Sequence, residues 1–198
     1  MARDRASRPE AKLHRLFVAL EVPAAAQLAV DAAVAPWREV FPRARWVPVE
    51  NRHVTLRFLG GTYPRLLAWV QERVGEAAAS RDAFETRLSG LGVFPPQGKA
   101  RVLWVGLADP DGHMAALASA LDAALAPELT PESRAFAPHL TVARSDPPLA
   151  LPPDFVDTAV EPVAWRVERI VLFESHLRRP APIYEPLAAF ALREPSRG

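Results

Sequence analysis

The sequence predicts an α+β fold built as two similar lobes, with largely antiparallel sheets facing a central cleft and helices on the outer faces. Three observations predict it. A strand, a helix and a strand carrying His-x-Thr follow one another twice, ending in "HVTL" at 53–56 and "HLTV" at 139–142. Strand-forming runs and amphipathic helical stretches alternate along the chain, with proline- and glycine-bearing turns between them. A length of 198 residues with 49% apolar content suits one domain with a proper core. Two copies make a duplicated unit and not a solenoid.

The run "RLFVALEV" (15–22) is short, apolar and rich in strand formers, so it reads as the first strand. A helix follows over 23–36. Pro23 suits its first turn, Leu28, Ala32 and Ala35 form its apolar face, and Pro36 is expected to end it. Residues 45–50 and 53–59 read as two strands. The stretch 63–81 is a helix whose stripe is Leu66, Leu67, Val70 and Val74. Alternation over 84–94 gives a strand, and "PPQGK" (95–99) a turn. The pattern then restarts with a strand at 101–107 and a helix at 111–127, with Met114, Leu117, Leu121 and Leu125 on one face. A strand at 136–144, a proline-rich loop at 147–154, and late strands at 164–177 and 183–192 complete the chain. The single two-lobed domain is thus expected over 15–192, with flexible tails at 1–14 and 193–198.

Composition narrows the chemistry. The net charge is +1, so no global basic field coats nucleic acid, although a local phosphate site is compatible with it. The absence of cysteine removes disulfides, thiolate catalysis and cysteine metal sites. No run approaches the length of a membrane span and the N-terminus lacks the apolar core of a signal peptide, so the expected location is the cytoplasm. There is no Walker loop, Rossmann glycine fingerprint or G-x-S-x-G elbow, and no histidine spacing typical of zinc sites, so no metal or other cofactor is expected.

The doubled motif is what remains. In a strand, residues i and i+2 share a face, so His53 and Thr55 point one way and Val54 and Leu56 the other. His139 and Thr141 likewise oppose Leu140 and Val142. Two imidazoles across one cleft suit general acid–base chemistry near neutral pH. The threonine hydroxyls can donate to an anionic oxygen, and Arg57 and Arg144 can neutralise it. Arg57 lies four residues after His53, on the histidine face of a regular strand. Arg144 lies five after His139 and falls on the opposite face unless the strand bulges or ends. A lone strand histidine is more often a satisfied sheet residue. Repetition with its threonine favours function for this pair, whereas His14, His113 and His176 are read as structural or surface residues. Trp46, Phe58, Phe136 and Tyr184 are read as core groups first and base-stacking groups second.

At these residues the sequence resembles the RNA 2',3'-cyclic phosphodiesterases of the two-histidine phosphoesterase superfamily, long called 2'-5' RNA ligases. The likeness rests on "HVTL" and "HLTV" and on their flanks, "RLFVALEVP", "RWVPVENRHVTLRFLG", "FAPHLTVAR" and "VLFESHL…YEPL", about 15 to 190. It implies metal-independent opening of 2',3'-cyclic phosphate ends to a 2'-phosphate, with ATP-independent 2'-5' ligation as the reverse reaction. By position it implies His53 as proton donor and His139 as proton acceptor. It implies Thr55, Thr141 and Arg144 as phosphate-binding residues, with Arg57 in a less secure role. The implied partners are RNA ends or nucleotides bearing a 2',3'-cyclic phosphate, met by a monomer away from any membrane. Two alternatives stay open. The same four residues would serve a phosphodiesterase acting on ADP-ribose cyclic phosphate or on 2'-5' oligoadenylates. A module that binds nucleotide or RNA without turnover would carry the fold alone.

Overall fold

A computed structural model describes residues 12–195. The strands are β1 (His14–Glu21), β2 (Arg45–Trp46), β3 (His53–Thr62), β4 (Phe84–Phe94), β5 (Ala100–Leu107), β6 (His139–Leu149), β7 (Ala164–Val167), β8 (Arg169–His176) and β9 (Ile183–Ala191). The helices are α1 (Ala24–Val40), α2 (Leu67–Ala79) and α3 (His113–Leu125). The strands form one curled sheet in the order β7-β4-β5-β6-β3-β1-β8-β9, with β2 added beside β6, and every pairing of these strands is antiparallel.

That order shows the duplication. Reading outward from the middle, β3-β1-β8-β9 mirrors β6-β5-β4-β7. The unit β1-α1-β3 corresponds to β5-α3-β6. The halves meet where Val54 pairs with Leu140, the central residues of the two motifs. Both are fully buried, so the seam between the lobes is apolar on one face and carries the motif histidines and threonines on the other. Below the seam, Val54, Leu56, Leu140 and Val142 share one core with the α3 stripe Met114, Leu117, Leu121 and Leu125 and with Val70 and Val74 of α2. Truncating Leu140 to alanine there would cost about 2–5 kcal/mol. Helix α2 packs on α3, β8 and β9, and α3 packs on β3.

Several boundaries differ from the sequence expectation. Helix α1 runs through Pro36 to Val40. Pro36 sits on the solvent side, and the turn around it is held by Trp37, which stacks on Phe41, meets Phe155 edge-on and donates from Nε1 to the Thr158 hydroxyl. The buried face of α1 is Ala26, Ala29, Val30, Ala33, Val34 and Trp37, while Leu28 is 71% exposed. In so alanine-rich a helix several faces look alike, and the bulkier Val30, Val34 and Trp37 decide. The strand expected at 45–50 stops after Trp46, because Pro48 leads into a tight turn at Val49–Asn51.

Strand β6 continues through Pro147 and Pro148, where the sequence predicts a loop. Its ladder with β5 skips from Arg144 to Leu149, so the prolines occupy an irregularity that needs no N–H donor. The single strand expected at 164–177 is divided at Glu168 into β7, which pairs with β4, and β8, which pairs with β1 and β9. His14 opens β1, and Arg193 makes a bridge to Asp82, so ordered pairing reaches into both stretches read as tails. The rest of those stretches, 1–11 and 196–198, lies outside the described residues. Among the described residues no helix is long and apolar enough to cross a membrane.

Candidate active site

The two motif strands place their side chains by the same device. Over their first six residues β3 and β6 share one burial pattern: half-buried, buried, half-buried, buried, buried, exposed. In β3, Val18 pairs with Arg57 and Ala19 with Thr55, so Leu56 is an extra residue. In β6, Leu103 pairs with Ala143 and Trp104 with Thr141, so Val142 is extra. Each strand therefore bulges just after its threonine, and the bulge reverses the faces of the residues that follow, up to the next irregularity at Leu59 in β3 and after Arg144 in β6.

This bulge settles the two arginines. Arg144 returns to the histidine face and lines the cleft with His53, Thr55, His139 and Thr141. Arg57 is turned away from the histidines. Its guanidinium is 7% exposed, bridges to Asp122 on α3 at 2.7 Å, and donates to the carbonyls of Phe58 and Thr130. The expectation that Arg57 shares the histidine face fails for this reason. In the symmetry of the lobes, Arg57 corresponds to Ala143, and the counterpart of Arg144 is Phe58, which is 53% exposed.

Both imidazoles are held by the backbone two residues behind them. His53 Nδ1 lies 2.9 Å from the Asn51 carbonyl and His139 Nδ1 lies 2.7 Å from the Ala137 carbonyl. A carbonyl only accepts, so each Nδ1 carries the proton and each neutral ring keeps its Nε2 lone pair for chemistry. Aromatic walls fix the ring planes. His53 packs against Phe17 at 4.7 Å and edge-on to Tyr184 at 5.2 Å. His139 packs edge-on to Phe94 at 5.0 Å and near Trp104 at 6.2 Å. Trp104 reaches this place because position 92 is glycine; a Cβ there would run into the indole.

Burial is the main reason that both imidazoles resist protonation in the free site. His53 is pushed down to about 4, by desolvation first and then by the positive Arg144 and by His139, against the opposing Asn51 hydrogen bond. His139 is also held below the ordinary imidazole value, by desolvation and by Arg144, against its bond to Ala137. Burial raises the Tyr184 hydroxyl, and Arg144 opposes that rise. The free site thus holds its two imidazoles neutral, with the Arg144 guanidinium disfavouring their protonation.

Two connected cavities open here. The histidine cleft has a volume of about 260 Å³. A larger cavity of about 820 Å³ shares Thr55, Phe58, His139, Thr141 and Arg144 with it and extends past Phe94, Arg134 and Phe136. Arg15, Phe17 and Tyr184 line the histidine cleft, and of these the sequence singles out only Tyr184. Asn51 also belongs to the supporting structure, since its side chain donates to the Pro182 carbonyl at 2.8 Å. It is the chain's only asparagine, two residues before the motif, which is a readable signal. Trp46 lies under Arg38 and donates to the Phe41 carbonyl, so it is a structural group. His113 is the first residue of α3, is exposed, and stacks on Phe84.

With this geometry in hand, likeness to known proteins is informative. The 2'-5' RNA ligase superfamily pattern matches residues 23–179. The chain belongs to this superfamily. An RNA 2',3'-cyclic phosphodiesterase of Thermus thermophilus is 33% identical over 90% of this chain and 90% of its own. One of Geobacillus stearothermophilus is 28% identical over 91% of this chain, which spans 58% of that relative's length. The solved structure of TT0787 from Thermus thermophilus superposes with a TM-score of 0.76 at 29% identity, covering 91% of this chain and 98% of the other. The superfamily resemblance read from the two motifs and their flanks is thereby borne out, as is the two-lobed, largely antiparallel α+β fold.

Proposed function

We propose that this chain is an RNA 2',3'-cyclic phosphodiesterase that opens cyclic phosphate ends to a 2'-phosphate with side-chain groups of the histidine cleft. The observation that carries the reading is the pair of motifs meeting at Val54 and Leu140, each presenting a histidine of fixed tautomer and a threonine to one cleft with Arg144. The names of the Thermus and Geobacillus relatives support the same activity.

In the reaction, the cyclic phosphate sits between the imidazoles, with its free oxygens on the Thr55 and Thr141 hydroxyls and the Arg144 guanidinium. His139 Nε2 takes a proton from water as the water oxygen bonds to phosphorus. The bond from phosphorus to the 3' oxygen breaks, and His53, protonated at Nε2 in the complex, gives its proton to that oxygen. The product keeps its phosphate on the 2' oxygen. Proton exchange with solvent restores both rings. The bound phosphate anion offsets the charge of Arg144 and raises both imidazoles, which lets His53 hold a proton that it lacks in the free site. Proton transfer of this kind contributes about 100- to 10,000-fold in rate.

All of these side chains come from one chain, which suits a monomer working on RNA ends in the cytoplasm. A panel of substrates tests the reading. Turnover of short RNAs ending in 2',3'-cyclic phosphate, well above that of ADP-ribose cyclic phosphate and 2'-5' oligoadenylate, is expected. The reverse ranking would move the assignment to another cyclic phosphodiesterase, and nucleotide binding without any turnover would make it a binding module.

A further inference from the structure

On the sheet face opposite the cleft, four side chains from three strands converge. Ser175 and Tyr184 are a cross-strand pair and both line the histidine cleft. The adjacent pair, Glu174 and Glu185, therefore points to the other face, as does His176 two residues after Glu174. His14 joins them from β1, next to the position where Leu16 pairs with Glu174. His14 Nδ1 lies 2.9 Å from Glu174 Oε2, and His176 Nε2 lies 2.8 Å from Glu185 Oε2. One ligating atom each from Glu174, His176 and Glu185 fits within 4.8 Å of the others.

We infer that Glu174, His176 and Glu185, with His14 bonded to Glu174 from behind, form a binding site for a divalent transition-metal ion of the zinc type. Two arguments support this. First, two carboxylates directly opposite on neighbouring strands repel, and such a pair is normally unfavourable. An imidazole offsets that repulsion only when protonated, whereas one dication neutralises both carboxylates at every pH where they are ionised. Second, the donor set is one imidazole nitrogen and two carboxylate oxygens, with His14 orienting Glu174 as groups behind metal ligands do. Imidazole favours zinc, copper, nickel and cobalt over magnesium and calcium, and three N and O donors with the fourth position left to water suit tetrahedral zinc. The side chains of His14, Glu174 and His176 are 28%, 13% and 30% exposed, so the site is half enclosed and open to solvent through Glu185.

The ion would tie β8 to β9, and through the His14–Glu174 pair to β1, and would stabilise that edge of the sheet. It would lie on the far side of the sheet from the histidine cleft, so its removal is expected to leave cyclic-phosphate opening intact. Sequence spacing does not show this group, because the strands that bring it together are distant in the chain.

The test uses chelator-stripped full-length protein titrated with Co²⁺, followed by its visible absorption, and with Zn²⁺, followed by calorimetry and Tm. The expected result is one saturable site per chain with the absorption of a four-coordinate nitrogen and oxygen site, and a rise in Tm on adding Zn²⁺. His176→Ala and Glu185→Gln should each weaken binding about 10- to 100-fold or more, since even groups that only support metal ligands carry effects of that size. His139→Ala should leave it unchanged. Absence of saturable binding, undiminished binding in both cluster variants, or loss confined to His139→Ala would overturn the assignment. Both cluster changes fall on partly exposed side chains, and far-ultraviolet circular dichroism separates misfolding from loss of ligands.

Discussion

The two motif strands carry the same fold device and end in different chemistry. After His-x-Thr, β3 and β6 bulge at matching positions and bury the next two residues. In β6 those two are Val142 and Ala143, and the residue that returns to the cleft is Arg144. In β3 they are Leu56 and Arg57, and the residue that returns is Phe58. The two halves thus present matching histidines and threonines, and one position per strand differs, Arg144 on β6 and Phe58 on β3. The only arginine that a simple count of residues puts on the histidine face is the one the bulge removes from it. It is held instead by Asp122 and two backbone carbonyls.

The largest expected effect tests what the strands share. Replacing either His53 or His139 by alanine should lower turnover of a cyclic-phosphate RNA by about 100- to 10,000-fold in a folded protein. Steady-state kinetics beside a thermal melt measures it, and a loss confined to one histidine would break the symmetry of roles.

The arginines test where the strands part. Arg144→Ala should reduce kcat/KM by about 10- to 100-fold through the lost charge-assisted contacts, with stability little changed. Arg57→Ala should do the opposite. It removes the ion-pair partner of Asp122 on α3 and should cost about 2–4 kcal/mol in denaturant unfolding, with activity per folded molecule kept. A catalytic defect in stable Arg57→Ala protein would contradict the placement of its guanidinium.

The pH profile sharpens the comparison further. The mechanism needs one imidazole protonated and one neutral, so kcat/KM should be bell-shaped, with its limbs set by the free enzyme. Both histidines titrate below the ordinary value of 6.5, so both limbs and the maximum move to the acid side of it. Removing the positive Arg144 raises both groups, and the Arg144→Ala profile should shift toward neutral pH. An unshifted profile would mean that Arg144 does not face the imidazoles.

The smallest effect concerns Phe58. If a base stacks on it where the two cavities join, Phe58→Ala should raise KM for RNA by about 5- to 100-fold with kcat nearly kept. Cyclic mononucleotides and longer RNA ends would then respond differently.

Much of this is legible in the sequence because periodicity and motif repetition are local. The α3 stripe, the two His-x-Thr strands and the buried Val54 and Leu140 follow from spacing alone. The remainder depends on what a spacing rule cannot contain. The bulges at Leu56 and Val142 come from ladder register, and they decide Arg57 and Arg144. The division of 164–177 at Glu168 reflects two partners on different sides of the sheet. Spacing puts Leu28 in the core because alanine leaves the faces of α1 nearly equivalent. Phe17, which fixes the plane of His53, looks like any apolar strand residue until β1 is placed beside β3. Asn51 is the case where closer reading of the sequence finds a supporting residue.

Product analysis tests the proposed reaction most directly. The purified protein would be incubated with 2',3'-cyclic nucleotides and a short RNA ending in cyclic phosphate, in the presence of EDTA, and followed by phosphorus NMR. Ring opening to a 2'-phosphate alone is expected, the product of a proton delivered to the 3' oxygen between His53 and His139. A 3'-phosphate, or no turnover of either substrate by folded protein, would contradict it.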